Sequence, residues 1–303
     1  MKSLKIFLLL ILPILGYSQK IRVFILAGQS NMNGFGYNKD LPNDLKTFKD
    51  VYIFQGNSVP DGDLNGGTGK WDVLKPGNGT GFKTNGKTNT LSDRFGPELS
   101  FAKRIKELFP NDKIALIKYA REGTSIDSLA KAGFGCWDAD FHGKNGINQY
   151  DHFLKTVKNA LSETDIDGNG KKDEIIPSGI IWMQGEGDAS YSEEIANNYY
   201  GHLKILMNQM RATLLTDDLP VVIGKISDSG KDKTGKVWAR GELVQYAQEQ
   251  FAKNDKNAAI VRSTKKYNYG NDPWHYDSAG YIDLGKNFAE EVFRLIINFE
   301  NKP

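Results

Sequence analysis

Six short apolar runs punctuate the chain at wide intervals, at residues 21–27, 51–54, 114–119, 179–183, 221–226 and 258–261. Each is rich in Val, Ile and Ala and lacks the polar alternation of a half-wet strand, so each predicts a strand buried on both faces. Between them the apolar spacing changes to the helical period. Leu99, Ala102, Ile105 and Leu108 fall on one face of a helix over 98–108, and Phe153, Val157 and Leu161 on one face of 153–161. Longer helices are expected at 193–215, 242–251 and 279–297. Strands alternating with helices predict a doubly wound parallel sheet, a three-layer α/β/α sandwich. Residues 57–91 and 133–149 break the rhythm, being polar and Gly-rich without an apolar period. Loops of that length are commonly functional.

The first residues carry a different pattern. Lys2 and Lys5 precede an apolar run from Ile6 to Leu15, followed by Gly16-Tyr17-Ser18-Gln19. A charged start, a short apolar stretch and a small-residue end predict a signal peptide over 1–19, hence an exported chain, periplasmic or extracellular. No composition shift divides 20–303, which is read as a single domain. Of the 303 residues 39% are hydrophobic and 25% charged, enough for a large core. The net charge of +2 shows no basic excess, which argues against a nucleic-acid partner. Beyond the leader no segment is apolar enough for a membrane span. Cys136 is the only cysteine, so no internal disulfide forms, and its neighbours Gly135 and Trp137 suggest a packed thiol.

Candidate chemistry gathers at strand ends. Gly28-Gln29-Ser30-Asn31-Met32 follows the first run. A serine in a tight turn there sits where open α/β sheets bind ligands, and it needs a base to become a nucleophile. Asp272-Pro273-Trp274-His275 supplies one: a carboxylate three residues before an imidazole can hold its Nδ1–H and leave Nε2 free. Asp277 is the alternative orienting acid. Trp182-Met183-Gln184-Gly185-Glu186-Gly187-Asp188 ends the fourth run and offers a side-chain amide suited to an oxyanion. Ala120-Arg121-Glu122-Gly123-Thr124-Ser125 ends the third and offers the Gly123 N–H. Gln29, Asn31, Glu186 and Trp274 are candidate substrate contacts. Asp165-Ile166-Asp167-Gly168-Asn169-Gly170-Lys171-Lys172-Asp173 resembles the start of a calcium loop, with Asp165, Asp167, Asn169 and Asp173 as candidate ligands of a structural Ca²⁺. Its twelfth position is Ile176 rather than Glu.

These blocks resemble those of the SGNH hydrolases, in the branch of sialate O-acetylesterase-like proteins and acetylxylan esterases of carbohydrate esterase family six. The resemblance covers nearly all of the chain beyond the leader. It rests on Gly28–Met32, on the Gly123 and Gln184 blocks, on Asp272–His275 and on Phe95-Gly96-Pro97-Glu98-Leu99-Ser100-Phe101-Ala102. It implies a flavodoxin-like SGNH hydrolase fold and a serine ester hydrolase without a catalytic cofactor. By the same resemblance Ser30 is the nucleophile, His275 the base and Asp272 its partner. The oxyanion hole would then be the Ser30 and Gly123 N–H groups and the Gln184 side chain. Gln184 stands where most SGNH members have Asn, Glu122 where many have Gly, and Gly187 where many have Ser. The implied partner is an acetylated carbohydrate, with acetylated xylan foremost, sialic acid 9-O-acetyl esters as the alternative, and a catalytically silent sugar-binding protein as the reading from another class.

Overall fold

The computed structural model describes residues 20–300; the signal-peptide expectation for 1–19 lies outside them. Seven strands form one sheet: β1 (Lys20–Gly28), β2 (Val51–Gln55), β3 (Trp71–Val73), β4 (Lys113–Ala120), β5 (Glu174–Met183), β6 (Val221–Gly224) and β7 (Ala258–Val261). Their order is β7-β6-β5-β1-β4-β2-β3, parallel throughout except for β3 on β2. All six apolar runs became strands. β3 did not show in the sequence, because three residues inside a polar loop carry no readable period. Its Trp71 is nonetheless buried and donates its indole N–H to the Ala160 carbonyl at 3.0 Å, which ties the 57–91 loop to a helix.

Five longer helices cover the two faces: α1 (Glu98–Leu108), α2 (Gln149–Ser162), α3 (Glu193–Thr213), α4 (Gly241–Asn254) and α5 (Ser278–Glu300). Their starts follow local chemistry. Asn148 and Asp151 form a reciprocal capping box at α2, and Ser192 accepts from the Ile195 N–H at the start of α3. The apolar faces pack on a single core built around Phe24, Leu26, Leu116, Ile181, Val222 and Phe288. No described helix is long and apolar enough to cross a membrane.

Sheet order and register place the site. β1 lies between β4 and β5, with Gly28 opposite Ala120 on one side and Met183 on the other. The chain leaves these three strands side by side at their C-terminal ends, the switch point where doubly wound sheets bind ligands. Gly28 has φ +144°, and a Cβ there would lie 2.0 Å from the Met183 carbonyl oxygen. Only glycine lets the β1 turn approach β5 so closely.

Candidate active site

Ser30 opens a one-turn helix, Ser30–Asn33, and is 5% exposed. The turn is pinned at both ends. The Gln29 N–H donates to the Met183 carbonyl at 2.9 Å. At the other end the Asn33 carbonyl accepts from Lys118 Nζ at 2.8 Å. Lys118 is wholly buried on β4 and also reaches Glu98 Oε2 and the Asn78 carbonyl, each at 2.8 Å. Burial pulls its pKa down against the pull of Glu98, and its three bonds use every ammonium proton.

His275 lies on the loop before α5. Its Nδ1 is 2.8 Å from Asp272 Oδ2, and Asp272 Oδ1 accepts from the Trp274 and His275 N–H groups at 2.8 and 2.9 Å. Partial burial works to raise the Asp272 pKa, but the bonds from His275 and these N–H groups outweigh it and hold the carboxyl below its ordinary value. Asp277 instead accepts from the Gly280 N–H at 2.7 Å and starts α5. Phe35 lies flat on the imidazole, centroids 3.5 Å apart and planes within 4°. Nothing in the sequence around Phe35 announced that contact.

Asn31 joins the two halves. Its Nδ2 donates to Glu186 Oε1 at 2.9 Å and to the Trp274 carbonyl at 3.2 Å. Its Oδ1 accepts from the Tyr276 N–H at 3.4 Å and the Tyr281 hydroxyl at 2.8 Å. The residue after Ser30 therefore grips the peptides on either side of His275. Asn31 and Glu186 are each 1% exposed, which corrects their reading as substrate contacts. Burial pushes the Glu186 carboxyl up to about 7, and its Oε2 is enclosed without a partner.

The expected oxyanion donors divide. Among the described residues the N–H groups of Ser30 and Gly123 have no acceptor. Gly123 has φ +69°, and a Cβ would meet the Phe134 ring at 2.5 Å. Gln184 is the correction. It is fully buried, its Nε2 donates to the Thr124 carbonyl at 3.0 Å and to Asp188 Oδ2 at 2.7 Å, and its Oε1 accepts from the Tyr199 hydroxyl at 2.9 Å. Both amide hydrogens are spent inside the protein, so it has none for an oxyanion. Gln29, read as a substrate contact, accepts on Oε1 from the Gly185 and Gly187 N–H groups at 3.3 and 3.2 Å.

Trp274 stands 48% exposed beside His275, and Phe134 is exposed over Gly123. Arg121 Nε donates to the Phe134 carbonyl at 2.7 Å. Trp137 is wholly buried, and the Trp238 indole N–H donates to the Ser227 carbonyl at 3.1 Å. Trp274 is therefore the tryptophan that offers a ring at this rim.

The match to a protein-family model decides the kinship: residues 20–294 fit carbohydrate esterase, sialic acid-specific acetylesterase. The chain belongs to this family. It is accordingly a carboxylic ester hydrolase, a carbohydrate acetylesterase. A comparison with curated protein sequences finds no significant match. Solved structures share the fold at low identity. A protein from Arabidopsis thaliana superposes with a TM-score of 0.64 at 20% identity, over 91% of this chain and 98% of that one. A carbohydrate acetylesterase from Xanthomonas citri gives 0.59 at 14%, over 91% and 57%. NanS gives 0.55 at 16%, over 94% and 99%.

Away from the esterase site, Asp165, Asp167 and Asp173 bring ligand oxygens within 4.8 Å of one another just before β5. The Lys113 ammonium bonds Asp167, Asp165 accepts from the Asn169 and Gly170 N–H groups at 2.9 and 2.8 Å, and Asn169 Oδ1 accepts from the Lys171 N–H at 2.8 Å. Oxygen donors suit a hard cation, but Lys113 already brings positive charge to one side of this loop. Cys136 is buried, and burial pushes its thiol up to about 12, in keeping with a packing role.

Proposed function

We propose that this carbohydrate acetylesterase is exported and removes acetyl groups from a polysaccharide such as acetylated xylan, through Ser30, His275 and Asp272. The supporting observation is the Asn31 clamp, which ties the Ser30 turn to the peptides flanking an Asp272-oriented imidazole. Ser30 Oγ adds to the ester carbonyl carbon and its proton passes to His275 Nε2. The carbonyl electron pair moves onto oxygen, beside the unpaired N–H groups of Ser30 and Gly123. Collapse expels the sugar alkoxide, which takes the proton from His275. Water repeats the sequence on the acyl-serine and releases acetate. Trp274, beside the base, is a stacking surface for a sugar ring. Export rests on the leader pattern of residues 1–19.

A second reading, a sialic acid 9-O-acetylesterase, is favoured by the description of the family itself. Acetate release from acetylated xylan and from 9-O-acetyl sialic acid, run beside Ser30→Ala, separates the two. Release from xylan that disappears in the variant is expected; release from sialate alone would move the substrate, and a fully active variant would remove Ser30 as nucleophile. We also propose a structural Ca²⁺ on Asp165, Asp167, Asn169 and Asp173. Calorimetric titration with Ca²⁺ is expected to show binding that Asp165→Ala loses; no heat at millimolar Ca²⁺ would exclude it.

A further inference from the structure

With Gln184 closed off, the side-chain donor of the oxyanion site has to be found elsewhere. The neighbouring glutamine has the free atoms. Gln29 adjoins Ser30 in the chain and is 3% exposed, yet its amide is only half satisfied. Oε1 accepts two N–H groups, from Gly185 and Gly187, at 3.3 and 3.2 Å. Only the oxygen end of an amide can accept twice, so these two bonds fix which end points toward β5. The NH₂ end points the other way and meets no acceptor among the described residues. It is also absent from the enclosed orphan atoms, which include Glu186 Oε2, so it reaches open space.

The neighbouring glycines fit the same arrangement. Gly187 offers its N–H to Gln29, and a Cβ there would lie 2.5 Å from the Thr124 carbonyl oxygen. Gly185 has φ +144° and offers the other N–H. A nearly buried amide with its oxygen doubly held and its hydrogens free is a preorganised donor, paid for in the folded state and ready for a developing charge. It stands one residue from Ser30, whose own N–H is free, as is that of Gly123.

We infer that Gln29, not Gln184, supplies the side-chain N–H that binds the tetrahedral oxyanion, with the Gly185 and Gly187 N–H groups holding its oxygen in place. This rests on the reading of Ser30 as nucleophile. When Ser30 Oγ bonds to the acyl carbon, the carbonyl π pair becomes a lone pair on oxygen. That oxygen then accepts from Ser30 N–H, Gly123 N–H and Gln29 Nε2 together. When the intermediate collapses, the pair returns to re-form the carbonyl and the three donors are free again. Gln184 serves instead as a buried brace between the Gly123 turn and Asp188.

The test is steady-state hydrolysis of an aryl acetate by wild type, Ser30→Ala, Gln29→Glu and Gln29→Ala. Gln29→Glu keeps an oxygen for Gly185 and Gly187 but has no hydrogen to donate as a carboxylate. It is expected to lower kcat about 100-fold with KM within a few-fold, the loss typical of one oxyanion donor. Gln29→Glu and Gln29→Ala retaining kcat within threefold, while Ser30→Ala is inactive, would overturn the inference and leave the nucleophile standing. An active Ser30→Ala would remove the nucleophile and this inference with it. A measurement on wild type covers the chance that the variants fail to fold. In the ¹⁵N spectrum of the phosphonylated enzyme the Gln29 side-chain NH₂ is expected to move and that of Gln184 to stay. The reverse pattern would assign the donor to Gln184.

Discussion

Asn31 makes four bonds to three parts of the chain: two join the Ser30 turn to the His275 loop at Trp274 and Tyr276, one reaches Glu186 after β5, and one reaches Tyr281 on α5. Replacing it with Ala removes the grip on Trp274 and Tyr276 without touching Ser30 or His275. Misplacement of a catalytic group by an ångström typically costs about 100-fold, so Asn31→Ala is expected to lower kcat by 10- to 100-fold, with His275→Ala lower still. A kcat unchanged from wild type would show that the loop holds itself. Asp272→Asn disturbs the imidazole tautomer and is expected to cost up to ~10⁴ in kcat, whereas Asp277→Asn, at the start of α5, should leave kcat near wild type and lower Tm. At this scale the sequence was partly legible. Ser30, Asp272 and His275 could be singled out because a serine in a turn after a buried strand and an Asp three residues before a His are recognisable patterns. The structure does pair Asp272 with His275 and tie the Ser30 turn to that loop through Asn31. The division of labour between Gln29 and Gln184 could not, since both are amides in turns after strands. Only the partners of each, two N–H groups for one and Thr124, Asp188 and Tyr199 for the other, decide which has hydrogens to give. The stacking of Phe35 on His275 left no sequence signal at all.

Elements were easier to read than contacts. Buried parallel strands are nearly pure apolar runs, so β1, β2, β4, β5, β6 and β7 stood out, and α1 ran over the residues its periodicity predicted. The three-residue β3 fell below the length at which a period can be recognised. The close approach of β1 and β5 is the element-scale feature on which the site most depends. Gly28→Ala forces a Cβ against the Met183 carbonyl in a backbone conformation that L-residues avoid. It is expected to lower Tm by about 10 °C and to lose activity in proportion to the Ser30 turn it displaces. A variant melting like wild type would mean that the turn relaxes without strain.

At the scale of the whole molecule, the site carries a buried acid whose ionisation opposes folding. Burial raises the Glu186 carboxyl to about 7 in the folded chain, above its ordinary 4.5. An acid raised in this way carries no folding cost below its unfolded pKa, and the cost grows as pH rises from there through about 7. Fully developed, it amounts to roughly 3 kcal/mol. Glu186→Gln, which keeps an acceptor for Asn31, is therefore expected to match wild-type stability near pH 5 and exceed it at pH 8. Denaturant unfolding at the two pH values checks this; a gap independent of pH would contradict it.

The sheet order delivers Ser30, Gly123 and the β5 turn to one edge, and the loop before α5 brings His275 to them. Covalent trapping tests that convergence most directly. The protein is treated with an aryl fluorophosphonate, digested and mapped by mass spectrometry. One phosphonyl adduct on the peptide containing Ser30, formed in step with loss of esterase activity and absent from Ser30→Ala, is the predicted result. Labelling that persists in Ser30→Ala, or inactivation with Ser30 unmodified, would contradict the account.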